Sequence, residues 1–407
     1  MTYRPRVLDL FCGAGGLSLG FERAGCEILG GIDNEYWPVM THHRNFPNAK
    51  IILPPQDICG INPADLGLPR GSIDILIGGP PCQGFSQVGR VKIKSLGLER
   101  ERDKKNKLYK QFIRFLDYFQ PKYFVVENVQ GMRTFKQSRF LENIISELSD
   151  GLEPDGYSFK AGYDVQNRVL CSADFGVPQM RHRLFIIGRR RDYRGLEVQY
   201  PEPTSDKPVT LKEAIDDLPV IKAPVLKTRS ESDLNNGGIM QRDRERSYRT
   251  APNSRYQALM REGCGDVVNN HICRGHNCKD LEIFAMLKPG QKYLDLPNEY
   301  RRYRDDIFDD KYRRLRYDQP SWTLTAHMQK DSLAFIHPSQ TRSLSAREAA
   351  RIQSFPDSFI FEGPLTKLLR MIGNAVPPLL AEQVARPIVG ELVAWQESSE
   401  LQRRAVK

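Results

Sequence analysis

The 407-residue sequence contains no run that approaches the roughly 18 consecutive apolar residues of a membrane-spanning helix. We therefore expect a protein without a membrane span. The first residues, MTYRPRVLDLF, also lack the basic-then-apolar order of a secretory leader, so we expect a cytoplasmic protein. At about 150 residues per domain, the length allows roughly two or three domains with substantial cores.

The regular spacing of a disulfide framework is missing as well. The eight cysteines are scattered along the chain, which is typical of a reducing compartment and leaves a free thiol available as a nucleophile. Cys264, Cys273 and Cys278 cluster with His271 and His276, but the paired C-x-x-C spacing of a zinc site is absent. We expect no metal there.

The excess of one charge sign is moderate. Sixty lysines and arginines against fifty aspartates and glutamates give a net charge of +10. A basic balance permits a polyanionic partner such as nucleic acid. It does not establish one, because many basic proteins bind no nucleic acid.

Short apolar runs alternate with longer mixed stretches over the first 190 residues. The candidate buried strands are Val7–Phe11, Ile28–Ile32, Ile73–Ile77, Tyr123–Val126 and Leu184–Ile187. Helix-like stretches such as Leu108–Phe119 and Phe140–Leu148 lie between them. This alternation predicts an α/β fold with a mostly parallel sheet and helices on both faces.

The chain changes character from about residue 189. Charged and polar residues then follow with little periodicity, which predicts a second, smaller and irregular domain. Thr210-x-x-Glu213 and Ser345-x-x-Glu348 are typical capping boxes and predict short helices after each. Pro377–Trp395 is amphipathic and predicts a last helix.

A glycine-rich turn follows the first predicted strand, in the sequence DLFCGAGG over Asp9–Gly16. The third glycine of a dinucleotide fingerprint would fall at Ser18, and no Gly-Lys-Ser/Thr follows. The turn therefore favours a ligand that carries adenosine without phosphates, with a plain strand–helix turn as the alternative. Asp33 is placed for ribose hydroxyls and Asp57 for an adenine amino group, unless they are surface or capping aspartates.

Reactive side chains follow other predicted strands. Pro80-Pro81 stiffens the backbone before Cys82, whose thiol can act as a nucleophile if its pKa is lowered; a buried, inert thiol is the alternative. Glu127 ends an apolar strand, where burial would raise its pKa and let it carry a proton, unless it is ion-paired. Arg181 and Arg183 would share one strand face and suit a carboxylate, phosphate or carbonyl oxygen.

Six blocks in one order resemble the motifs of DNA cytosine-5 methyltransferases, particularly the bacterial enzymes of restriction-modification systems. The blocks are Asp9–Gly16, Gly79–Ser86, Glu127–Val129, Gln179–Arg183, Arg347–Pro356 and Gly373–Pro378. The resemblance covers roughly residues 5–190 and 343–385. It implies a Rossmann-like, S-adenosylmethionine-dependent fold with a catalytic segment at 1–188, a target-recognition domain at 189–342 and a return segment at 343–407.

The resemblance also implies catalytic roles. Cys82 would attack carbon 6 of a cytosine that is flipped out of duplex DNA, since a stacked ring is out of reach. Glu127 would hydrogen-bond or protonate ring nitrogen 3. Arg181 and Arg183 would hold the cytosine carbonyl oxygen.

Binding residues follow from the same resemblance. The implied cofactor-binding residues are Phe11, Gly13, Gly15, Asp33, Asp57, Ile58, Pro80, Leu108, Asn374 and Val376. The implied DNA contacts are Gln83, Ser86, Arg90, Gln179, Thr323 and Leu324. Residues 86–107 would close over DNA, and Arg301–Arg316 would contact its backbone and grooves.

We expect a sequence-specific monomer that acts on double-stranded DNA beside a separate restriction endonuclease in a bacterial cell, near the nucleoid. A tRNA cytosine-5 methyltransferase of the same architecture is the first alternative. A DNA-binding regulator without catalytic activity is the second, although every catalytic position matches. A membrane partner is not expected.

Overall fold

A computed structural model of the chain describes residues 3–81, 108–133, 139–152, 157–204, 206–226, 246–302 and 311–405. Four residues predicted for the site lie outside the described residues: Cys82, Gln83, Ser86 and Arg90. The predicted closing segment 86–107 lies outside them as well. The chain divides into two units. The sheet unit comprises residues 1–171, 182–204 and 378–407, and the second unit comprises residues 172–181 and 205–377.

The sheet unit is built on a six-stranded sheet in the order β2-β1-β3-β4-β9-β7. Its strands are β1 (Arg6–Leu10), β2 (Glu27–Ile32), β3 (Ile75–Gly78), β4 (Tyr123–Val129), β7 (Tyr163–Cys171) and β9 (His182–Arg190). The first four run parallel, whereas β9 is antiparallel to β4 and to β7. A separate antiparallel pair is formed by β5 (Gly151–Leu152) and β6 (Tyr157–Ser158).

All five predicted strands are confirmed, and so is the mostly parallel sheet. The sixth strand of the sheet, β7, was not predicted. Residues 164–168 of this edge strand are mostly exposed and polar, so the apolar signal of a buried strand is missing there.

Helices of the sheet unit cover the sheet and fill its core. They are α1 (Gly16–Arg23), α2 (Tyr36–Asn45), α3 (Tyr109–Phe119), α4 (Arg139–Asp150) and α10 (Pro378–Ala405). The predicted helix over Leu108–Phe119 is confirmed, and its buried face carries Phe112, Phe115 and Phe119 into the core. Helix α10 packs tightly on α1, since a Cβ on Gly20 would lie 2.3 Å from Cβ of Ala381.

Strand order determines where a ligand can bind in this unit. The chain passes from β1 to β2 on one side and then returns to β3 on the other side of β1. In open α/β sheets, the crevice outside the carboxyl ends of the strands at such a switch point is the usual ligand site. Phe11, Asp33 and Gly79 directly follow the carboxyl ends of β1, β2 and β3. Glu127 lies near the carboxyl end of β4.

The second unit is mostly irregular, as predicted for the later part of the chain. Its helices are α5 (Leu211–Ile215), α6 (Arg255–Met260), α7 (Cys278–Met286), α8 (Ala346–Ile352) and α9 (Leu365–Asn374), and β8 (Gln179–Met180) pairs in parallel with β10 (Ser321–Trp322). Both predicted capping boxes are present, at Thr210 and at Ser345. No described helix is long and apolar enough to span a membrane.

The boundaries of the two units differ from the predicted segments. Residues 189–204 lie in the sheet unit and residues 343–377 in the second unit. Buried ion pairs account for the second difference. Arg351 on α8 pairs with Asp217 and Asp357, and all three side chains are fully buried inside the second unit. Separating α8 from this core would leave buried charges without partners, at a high cost in free energy.

A second buried pair joins Arg342 to Glu348, with N–O distances of 2.7 and 2.6 Å. Burial alone would raise the pKa of Glu348, but the Arg342 guanidinium and the nearby His337 hold that pKa well below its ordinary value. The same carboxylate accepts the backbone N–H of Ser345 and so completes the cap of α8.

We predict that Glu348→Gln lowers the free energy of unfolding by about 3–5 kcal/mol at neutral pH, because Arg342 is left buried without its counter-charge. The folded-state pKa of Glu348 is lowered. The carboxylate therefore stabilises the fold fully above its unfolded-state pKa of about 4.3, and this contribution is lost as the pH falls toward the lower folded-state pKa.

Urea denaturation between pH 3 and about pH 7 measures both effects. Asp318→Asn is the control, since it breaks an exposed pair with Arg316 and should leave the unfolding curve near that of the wild type. An unchanged curve for Glu348→Gln would contradict the prediction.

Candidate active site

The chain turns sharply at the end of β1. Phe11, Gly13 and Gly15 have φ values of 59°, 54° and 95°, in the left-handed region that favours glycine. A Cβ on Gly15 would lie 2.6 Å from the ring of Phe46, so only glycine fits at that position. The predicted glycine-rich turn is therefore present, with a half-buried aromatic side chain at its start.

Asp33 holds this turn through the backbone. Its Oδ2 accepts the N–H of Gly13 and its Oδ1 accepts the N–H of Glu35, each at 3.0 Å. Burial raises the pKa of Asp33, and these N–H groups oppose the shift. Oδ2 thus supports the glycine-rich turn and Oδ1 the start of α2, and the role of Asp33 as a ribose acceptor stays a prediction.

Two residues that sequence reasoning missed lie at the same strand end. Glu35 is half-buried at the N-cap position of α2, where its side chain makes no cap bond. Tyr36 follows with 57% of its surface exposed. The sequence signal for these two residues is the acidic–aromatic pair Glu35-Tyr36, which directly follows Asp33 and Asn34.

The predicted adenine-binding residues lie on a short 3₁₀ turn over Ile58–Gly60. Asp57 is exposed and caps this turn by accepting the N–H of Cys59 at 3.0 Å. Ile58 is buried, and its carbonyl accepts a bond from Arg114 of α3 at 2.7 Å. That bond fixes the turn to α3, the helix that Leu108 precedes.

Asn128 fixes the backbone that precedes Cys82 in the chain. It was not among the predicted site residues. Its side-chain amide donates to the carbonyl of buried Pro80 at 3.0 Å, and its Oδ1 accepts the N–H of Val129 at 2.8 Å. The backbone of Pro80-Pro81, the last described residues before Cys82, is thereby tied to the end of β4.

Glu127 and Arg183 form an ion pair across β4 and β9. The distance from Oε1 to Nε is 2.9 Å, and the two side chains are 12% and 15% exposed. A Cβ on Gly79 would lie 3.4 Å from Oε2 of Glu127, so the carboxylate lies close to the backbone before Pro80. Burial lowers the pKa of Arg183, and Glu127 opposes this shift. The Arg183 guanidinium in turn favours the ionised form of the Glu127 carboxyl group. Burial favours the protonated form, so the two effects oppose each other.

The predicted partnership of Arg181 with Arg183 is wrong. Strand β8 ends at Met180 and β9 begins at His182, so the two arginines do not share a strand face. Arg181 is fully buried in the second unit, where it donates to the main-chain carbonyls of Leu324, Gly373 and Asn374 at 2.7, 3.2 and 3.5 Å. Its guanidinium supports irregular backbone.

Two predicted DNA contacts, Gln179 and Leu324, lie in the interior of the second unit. Both are fully buried. The Gln179 side chain donates to Oε1 of Gln353 and accepts the N–H of Leu324, each at 2.7 Å. Thr323 is half-buried and donates to the carbonyl of Met180 at 2.7 Å.

Two further cofactor predictions fall in the second unit. Asn374 is exposed at the end of α9, and Val376 is buried just beyond it. Their assignment to the cofactor pocket stays a prediction from the family resemblance.

The described arginines of the predicted stretch 301–316 mostly serve the fold. Arg301 and Arg314 donate to main-chain carbonyls, and Arg316 pairs with an aspartate. The guanidinium of Arg313 stacks on the Trp322 ring, at 3.6 Å from the centroid.

The residues of the Cys/His cluster have separate partners. His271 bonds to the carbonyl of Pro219 at 2.7 Å, and His276 bonds to Oγ of Ser343 at 2.9 Å. Burial lowers the pKa of both histidines to about 4. Within the described ranges, no three His, Cys, Asp or Glu side chains are arranged to hold a metal ion.

Comparison with known proteins identifies the family. Residues 5–390 match the family model of C-5 cytosine-specific DNA methylases. The Type II methyltransferase M.DdeI of Desulfomicrobium norvegicum is 36% identical, over 96% of this chain and 88% of its own length. The Type II methyltransferase M1.HphI of Haemophilus parahaemolyticus is 33% identical, over 94% and 86%.

A solved structure agrees with these sequence relatives. A prophage-encoded Escherichia coli protein, described as a DNA modification methyltransferase, superposes with a TM-score of 0.68 at 27% identity, over 95% of this chain and 99% of its own. The resemblance of the six motif blocks is thus confirmed, and the chain belongs to the C-5 cytosine-specific DNA methylases.

Proposed function

We propose that this protein transfers a methyl group from S-adenosylmethionine to carbon 5 of a flipped-out cytosine in one short word of duplex DNA. It acts as a monomer, and the modification protects DNA from a separate restriction endonuclease. The observation that carries this proposal is the Glu127–Arg183 pair beside Gly79, at the strand-end edge that also holds the glycine-rich turn. The type II names of the relatives support the protective role.

The residues at the ends of β1 and β2 fit S-adenosylmethionine. Its adenine suits the aromatic faces of Phe11 and Tyr36, and its hydroxyl and amino groups suit the carboxylates of Glu35 and Asp57. An added Cβ at Gly13 would meet nothing within 4 Å, so the backbone there is open to a ligand. When bound, this cofactor supplies the methyl group. Gly15, Asp33, Ile58, Pro80, Leu108, Asn374 and Val376 complete the proposed set.

The proposed chemistry begins with the Cys82 thiolate, which adds to carbon 6 of the cytosine. Glu127 hydrogen-bonds or protonates ring nitrogen 3 and draws electrons from the ring, which favours the addition. Arg183 orients Glu127 and stabilises negative charge that develops on the cytosine carbonyl oxygen. Carbon 5 then carries the electron pair that accepts the methyl group. Loss of the carbon 5 proton to a base eliminates Cys82 and restores the ring.

We predict that Glu127→Gln lowers kcat for DNA methylation by roughly 10²–10⁴-fold, because the amide cannot hand a proton to ring nitrogen 3. Affinity for S-adenosylmethionine should stay within about twofold, since the contact is made to the cytosine. Transfer of radiolabelled methyl groups to duplex DNA and calorimetric titration with S-adenosylmethionine measure the two quantities. Glu142→Gln, an exposed change on α4, is the control. Wild-type kcat in Glu127→Gln would contradict the assigned role.

A more exposed side chain than Gln179 is better placed to read the DNA word. We propose Arg313, which stacks on Trp322 and has its backbone N–H and carbonyl both bonded, to Leu333 and Ile336 at 3.2 and 3.1 Å. A guanidinium held in this way is preorganised for bidentate contact with guanine. Thr323, which follows Trp322 in the chain, keeps its proposed role as a neighbouring contact.

Arg313→Ala should relax the recognised word at one position, because a bidentate base contact is worth about 1–3 kcal/mol of discrimination. Methylation of a randomised duplex library, followed by bisulfite sequencing, gives the word for each variant. Arg316→Ala removes a nearby exposed arginine that pairs with Asp318 and should leave the word unchanged. If Arg313→Ala retains the full word and the wild-type DNA affinity, Arg313 reads no base.

The whole proposal is tested by bisulfite sequencing of DNA from a methylation-free host that expresses this chain or its Cys82→Ala variant. We expect modified cytosines in one recurring word for the wild type and none for the variant. Unmodified DNA with expressed, folded protein would refute the proposal. Assay of tRNA would then test the RNA alternative, and retention of function by Cys82→Ala would favour the non-catalytic regulator.

A further inference from the structure

Three polar side chains lie buried beneath the glycine-rich turn and take no part in the proposed chemistry. Asp9 on β1, Ser18 on α1 and His42 on α2 are each at most 1% exposed. Oγ of Ser18 lies 2.6 Å from Oδ2 of Asp9 and 3.1 Å from Nε2 of His42. A continuous chain of hydrogen bonds therefore links the three elements that surround the turn.

The direction of these bonds follows from the single hydroxyl proton of Ser18. Burial raises the pKa of Asp9 to about 7. When this carboxylate is ionised, Ser18 donates to it, and Nε2 of His42 then carries a proton and donates to Ser18. Burial lowers the pKa of His42 to about 3, which keeps the imidazole neutral at neutral pH. Nδ1 of His42 and Oδ1 of Asp9 have no hydrogen-bond partner among the described residues.

The imidazole of His42 supports the turn from below. A Cβ on Gly31 would lie 2.6 Å from Nε2 of His42, and a Cβ on Gly15 would lie 3.1 Å from its Cδ2. The ring also packs on Phe46, with centroids 4.5 Å apart. Because a Cβ at Gly15 would crowd the imidazole, the ring lies directly against the backbone of the turn, and its position limits how closely that backbone approaches the core.

Stability alone does not explain this polar chain. Each buried polar atom without a partner costs about 1–3 kcal/mol, and the chain contains two of them. An apolar residue of similar volume at position 42 would fill the same space without that cost. The retained bonds therefore point to a requirement for one particular geometry of the turn.

We propose that Ser18 and His42 are positioning residues that, through Asp9, hold the glycine-rich turn in the shape that binds S-adenosylmethionine. They touch neither the cofactor nor the cytosine. The inference rests on the proposed function, because it assigns the turn to that cofactor.

The test compares His42→Leu, which keeps volume but loses the donor, with His42→Gln, which restores an N–H donor. Ser18→Ala breaks the chain at its centre. His43→Leu is the matched control, since His43 is the adjacent histidine on α2 and lies outside the bonded chain. Calorimetry gives the Kd of S-adenosylmethionine, steady-state assays give KM for cofactor and DNA, and melting curves report folding.

We expect His42→Leu and Ser18→Ala to raise the Kd and KM of S-adenosylmethionine about tenfold, the size of one lost hydrogen bond. His42→Gln and His43→Leu should stay within about threefold of the wild type. The KM for DNA should not change in any variant. A purely structural role would lower the melting temperature and the active fraction without this selective effect on the cofactor.

Unchanged cofactor affinity in folded His42→Leu and Ser18→Ala overturns the inference. If His42→Leu does not fold, Ser18→Ala with its own melting curve decides the question. Failure of the folded wild type to bind S-adenosylmethionine is a different result, since it refutes the proposed function itself.

Discussion

Parallel pairing of β1 with β2 on one side and with β3 on the other is the constraint on which the site depends. It creates the switch point and brings the carboxyl ends of four strands to one edge. The glycine-rich turn, Asp33, Gly79 and Glu127 then lie at the ends of these strands. The antiparallel strand β9 extends the same edge and supplies Arg183 opposite the end of β4.

Irregular backbone around this edge is held by buried polar side chains. Asp33 accepts two backbone N–H groups, and Asn128 donates to the carbonyl of Pro80. Such side chains satisfy backbone groups that no strand or helix can pair, which a buried turn otherwise leaves without partners. In the second unit, Arg181 and Gln179 do the same for main chain near Leu324.

The sequence predicted the elements well and the use of individual polar side chains less well. Apolar runs identified five strands of the sheet because burial on both faces leaves a local signal. The roles of Asp33, Gln179 and Arg181 depended on which backbone groups lie nearby after folding, and local sequence does not contain that information. The polar edge strand β7 was missed for the opposite reason, since exposure removes its signal. The order of the six motifs identified the family because the motifs lie on several helices, strands and turns that are distant in the sequence.

The Glu127–Arg183 pair adds a step to the proposed mechanism. An ionised carboxylate that accepts from Arg183 cannot donate to ring nitrogen 3. For the donation to occur, the guanidinium has to transfer part of its hydrogen bonding to the cytosine carbonyl oxygen. Glu127 then loses its counter-charge while the entering base excludes water, and both changes favour its protonated form. On the proposed mechanism, Glu127 therefore takes up a proton from solvent as the cytosine enters, and it then donates that proton to ring nitrogen 3.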